Sequence, residues 1–175
     1  MNKINLSSYI TIPSNSKSVG IIVIQEWWGV DDHIKNLTIK FAENGFTAIA
    51  PDLYHGQITN EPDEAQKLAM NININNALSE IKESIQLLKK ICSKVVVVGF
   101  CMGGLVALKV AENINLDGVF AFYPSRYDPT VADVKKNASD VYIFYGDKDH
   151  GYDKNKYEKI EKKFKDNNFK KLFKL

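Results

Sequence analysis

Residues 94–113, KVVVVGFCMGGLVALKVAEN, constrain this chain more than any other stretch. Four consecutive valines make a strand that is buried on both faces. An apolar helical pattern begins two residues after the strand ends. Between them Gly99, Cys101 and Gly103 stand at G-x-C-x-G spacing. A corner this tight between strand and helix needs small residues two before and two after its tip. The tip residue then holds its side chain clear of the sheet, and the N–H of Met102 faces any negative charge developing beside it. The N-terminus of the following helix also favours a thiolate. A small buried apolar residue is the plainer reading of a lone cysteine.

The rest of the chain repeats the alternation. Strands are expected at 18–25, 46–50, 94–100, 116–123 and 140–146, and helices at 31–45, 102–113 and 154–168. A helical region at 63–90 is interrupted by NININN, and FKKLFKL at 169–175 reads as one more strand. In the first helix Asp31 or Asp32 can cap the start, and Gly45 suits the left-handed position at the end. Continuous apolar strands alternating with helices predict an α/β fold, a mostly parallel twisted sheet covered on both faces. At 175 residues the chain is one domain, 1–175.

Composition excludes several function classes. The net charge is +2, and every basic residue except Arg126 is a lysine, so no nucleic-acid face is expected. The lysines of 154–174 read as a solvated helix face. Cys92 and Cys101 give neither a disulfide framework nor zinc spacing, so no metal is expected. VGIIVI and VVVVGF are too short to span a bilayer. The first residues lack the apolar core of a signal peptide, so the expected location is cytoplasmic and reducing.

IVIQEWWGVDDHIKNLTIKFAENGFTAIAPDLYHG, then VVVVGFCMGG, then YGDKDHG resemble the dienelactone hydrolase family of α/β-hydrolases over about residues 19–165. The resemblance implies the α/β-hydrolase fold and hydrolysis of a small-molecule ester or lactone through a thioacyl intermediate on Cys101, with no cofactor. It implies Glu26 as the carboxylate that meets the thiol and the N–H groups of Trp27 and Met102 as the oxyanion hole. Asp149, three residues after Gly146, takes the place of the acid that orients a histidine. Trp28, His55 and Arg126 are expected around the pocket.

The family's histidine follows one further strand, late in the chain. Here the histidines are His33, His55 and His150. The sequence is therefore expected to be a C-terminally incomplete domain lacking the last helix. Weak hydrolysis, a non-catalytic domain that keeps the fold, and self-association through an uncovered last strand are the resulting expectations.

Overall fold

The computed structural model describes residues 8–124, 140–146, 148–149, 155, 158–159, 161–162 and 171–174. Its strands are β1 (Ser8–Thr11), β2 (Val19–Ile24), β3 (Thr47–Pro51), β4 (Lys94–Phe100), β5 (Gly118–Phe122), β6 (Val141–Tyr145) and β7 (Lys171–Lys174). Its helices are α1 (Asp32–Glu43), α2 (Pro62–Asn71), α3 (Ile74–Leu88) and α4 (Met102–Asn113). The strands form one sheet in the order β1-β3-β2-β4-β5-β6-β7. All neighbours are parallel except β1, which runs antiparallel to β3 at the edge.

Local chemistry explains the helix ends. Asp31 caps α1 by accepting from the N–H of Ile34, and Gly45 beyond its end has φ +86°. Pro62 opens α2, where a missing N–H costs nothing. NININN breaks the helical region because Asn73 turns its side chain onto the N–H groups of Asn75 and Asn76 and caps α3 afresh.

The helices divide the core into two layers. Ile81, Ile85 and Leu88 of α3 pack with Val106, Leu108 and Val110 of α4 against Ile22, Ile24, Val95, Val97 and Ile143. On the other face, Ile34 of α1 meets Ile21, Val23, Ala48 and Val98. Further along that face Phe100, Phe122 and Phe144 stack in one row across three strands, with centroids 5.0 and 4.5 Å apart. Cross-strand aromatic pairs of this kind fix register.

The sheet order positions the site. From β2 the chain crosses to β3 on one side. From β4, which pairs with β2, it crosses to β5 on the other side. The carboxyl ends of β2 and β4 thus flank a topological switch point, where open α/β sheets form their crevice. Glu26 and Trp27 follow β2, and Cys101 follows β4. Among the described residues, no helix is long and apolar enough to cross a membrane.

Candidate active site

Cys101 sits at the N-cap of α4 with φ 50° and ψ −115°. Positive φ in a residue with a Cβ costs on the order of 1–3 kcal/mol and persists only where the surroundings enforce it. The surroundings do so here. The Cys101 N–H donates to the Phe122 carbonyl at 3.0 Å, and its own carbonyl accepts from the N–H of Leu105 at 3.2 Å. A Cβ on Gly99 would run into the carbonyl of Gly103. One on Gly103 would lie 2.5 Å from the carbonyl oxygens of both Ile24 and Gln25. The start of α4 is therefore pressed onto the ends of its own strand and of β2, which explains why the corner demands both glycines. The Cys101 side chain makes no capping bond.

The half-buried thiol borders a cleft of about 330 Å³. Trp27, Met102 and Leu105 line one part of it, and Gln66, Ala69 and Met70 of α2 line another. Glu26, which precedes Trp27, is half-buried, and its Oε1 accepts from the hydroxyl of Tyr123 at 3.1 Å. Tyr123 directly follows β5, has φ 38°, and anchors its N–H on the Phe144 carbonyl. Burial first, then the charge and hydrogen bond of Glu26, then negative charge at Cys101 and Asp149, push the Tyr123 hydroxyl well above the usual tyrosine range. Glu26, Cys101 and Asp149 all act on this one hydroxyl. Asp149 stands where a turn after β6 brings its N–H to the Gly146 carbonyl, 3.3 Å away.

A second tyrosine lies behind Met102 and lines a neighbouring hollow. Tyr54 is buried, and its hydroxyl donates to the sulfur of Met102 at 3.3 Å. Burial, and secondly charge at Cys101, push this hydroxyl up to about 12. Gln25, fully buried next to Glu26, accepts from the N–H of Leu53 at 3.0 Å and so ties the loop after β3 to the end of β2. Among the described residues no three His, Cys, Asp or Glu side chains converge as metal ligands.

Comparison with known proteins adds the lineage. The sequence profile described as "Dienelactone hydrolase family" matches residues 6–175. The chain belongs to the dienelactone hydrolase family. Protein usf of Aquifex pyrophilus is 33% identical over 156 residues, which is 82% of this chain and 66% of that protein. Carboxymethylenebutenolidase 1 of Cupriavidus pinatubonensis is 23% identical over 155 residues, 82% of this chain and 66% of that one. A dienelactone hydrolase-like promiscuous phosphotriesterase from metagenomic libraries superposes with a TM-score of 0.77 at 20% identity. That match covers 94% of this chain and 71% of the other, and it shows the shared fold. The chain spans 66%, 65% and 58% of the length of the first curated relatives it matches.

Set in this dienelactone hydrolase frame, Cys101, Glu26, Trp27, Met102 and Asp149 cluster at one edge of the sheet. Trp28 and His55 stand apart from the cleft wall. Trp28 packs edge-on against Trp27 with centroids 4.9 Å apart. His55, at φ 53°, lies 3.6 Å from Glu80 and lines a separate hollow of about 250 Å³ with Asn71, Asn73 and Asn76. His33 is exposed on α1. Arg126 and His150 lie outside the described residues. Sequence reasoning missed Tyr123, Tyr54 and the α2 wall. The one signal for Tyr123 was its place as the last residue of an expected strand, at the edge where Cys101 was expected.

Proposed function

We propose that this chain carries the chemistry of an ester or lactone hydrolase acting through Cys101. In this reading the Cys101 thiol gives its proton to the Glu26 carboxylate as an ester enters. The thiolate attacks the carbonyl carbon, a C–S bond forms, and the π electrons move to the carbonyl oxygen. The N–H groups of Trp27 and Met102 receive that oxyanion. Collapse breaks the C–O bond, and the departing alkoxide takes the proton back from Glu26. Water then attacks the thioester, losing its proton to Glu26, and the thiolate leaves and is reprotonated. The positive φ of Cys101 at the switch point is the observation that carries this reading. A structural cysteine has no need of a strained corner, whereas a nucleophile held out to substrate does.

Hydrolysis of p-nitrophenyl acetate by the full chain and by Cys101→Ala tests it. Loss of activity in the variant, with acetylated Cys101 trapped in the wild type by mass spectrometry, is the expected result. Equal rates would leave the fold without this chemistry and favour a non-catalytic domain.

A further inference from the structure

The cleft beside Cys101 has one wall that the hydrolytic steps do not use. Gln66, Ala69 and Met70 are spaced i, i+3, i+4 and so share one face of α2. The core takes only Ala65 from this helix. Met70 is 72% exposed, a large flexible apolar side chain left in water at the mouth of the cleft. Among the described residues it makes, together with Trp27, Met102 and Leu105, a mostly apolar lining in which Gln66 supplies an uncharged amide. Such a lining binds by burying apolar surface and uses its few polar groups to orient the ligand.

Electrostatics point the same way. Glu26 and Asp149 both bear on the Tyr123 hydroxyl, and negative charge at Cys101 bears on it and on Tyr54. A ligand carrying its own carboxylate would bring a further negative charge to this gathering and lose water in doing so.

We infer that this cleft selects a short, uncharged, apolar acyl group, held among Trp27, Leu105 and Met70. The inference rests on the hydrolase reading for its chemistry, but the recognition itself is separable from turnover.

Two esters of matched length decide it: p-nitrophenyl butyrate and mono-p-nitrophenyl succinate, in which a carboxylate replaces the terminal methyl. The full chain is expected to hydrolyse the butyrate with kcat/KM at least about tenfold higher. Met70→Lys, which places an ammonium at the mouth, is expected to narrow that preference about threefold or more. Equal rates, or preference for the succinate, overturn the inference. Calorimetric titration of Cys101→Ala with each ester reads binding without turnover. Tighter binding of the butyrate supports the inference, and equal binding or no binding of either overturns it. Preferential binding by a wild type that releases no nitrophenol would remove the hydrolase reading and leave this selection standing.

Discussion

The hydroxyl of Tyr123 donates to Oε1 of Glu26 across 3.1 Å, joining the ends of β5 and β2 over the end of β4 that lies between them. The two residues are 97 positions apart in sequence. The bond engages one oxygen of the carboxylate, so a proton arriving from Cys101 competes with it. Glu26 is in effect shared between a permanent partner and an occasional one.

Tyr123→Phe should therefore make Cys101 more reactive. A hydrogen bond to a charged group is worth about 1.5 kcal/mol or more, so alkylation by iodoacetamide should quicken about tenfold or more. Glu26→Gln should slow it. Peptide mapping separates this signal from Cys92, which is buried at 7% exposure. Unchanged alkylation in both variants would mean that Glu26 does not govern the thiol.

The strained corner should carry a measurable stability cost. Cys101→Gly removes the Cβ that makes φ 50° unfavourable. It should abolish hydrolysis and yet raise stability by about 1 kcal/mol, or roughly 2–4 °C in Tm for a domain of this size. Calorimetric melting of the two proteins checks it. A lower Tm in the variant would show that the thiol contributes packing that outweighs the strain.

Gly99→Ala should be among the most damaging single-methyl changes available. The added Cβ meets the carbonyl of Gly103 on the helix that follows, and backbone cannot swing aside as a side chain can. A loss of about 3 kcal/mol or more in urea unfolding is expected. Gly56→Ala is the control for adding a methyl, since its Cβ would meet nothing within 4 Å. Its φ of +93° confines the expected loss there to about 1 kcal/mol.

Alkaline unfolding should report on Tyr54. Its hydroxyl, pushed from 10.0 up to about 12, holds its proton more tightly folded than unfolded. The stability linked to it is full below pH 10 and drains as pH rises from about 10 toward about 12. The slope from this one group is at most about 1.4 kcal/mol per pH unit. Tyr54→Phe should flatten that part of the profile, read as urea midpoints on either side of the window. An unchanged slope would assign the alkaline loss to other groups, Tyr123 first among them.

The sequence was most legible where one residue pattern had one geometric solution. Strand 94–100 and helix 102–113 were both placed to the residue, because only a strand, a cramped turn and a helix accommodate four valines followed by G-x-C-x-G-G. The break near NININN was legible because asparagine caps helices. The edge strand Ser8–Thr11 was not foreseen. It is short, antiparallel and only partly buried, so SYIT carries neither the length nor the apolar content of its neighbours. Cys101 stood out through its G-x-C-x-G corner, and Glu26 and Asp149 through the resemblance of QEWWG and GDKD to the dienelactone hydrolase family. Tyr123 and Tyr54 did not, because a loop tyrosine acquires meaning only from what the fold sets against it. Trp28 and His55 illustrate the converse. Being next to a site residue in sequence, or on a loop after the right strand, does not fix which way a side chain turns.

Gln25 and Gly103 divide the site into two mechanical halves. The amide of Gln25 clasps the loop after β3, while its carbonyl takes the close press of α4. The loop after β3, the end of β2 and the start of α4 are thus held against one another at the reacting edge. Helix α2, by contrast, commits a single alanine to the interior. Its cleft-facing residues are free to be exchanged as a set. A lineage built this way can rewrite what it accepts along one helix while the machinery behind it stays fixed.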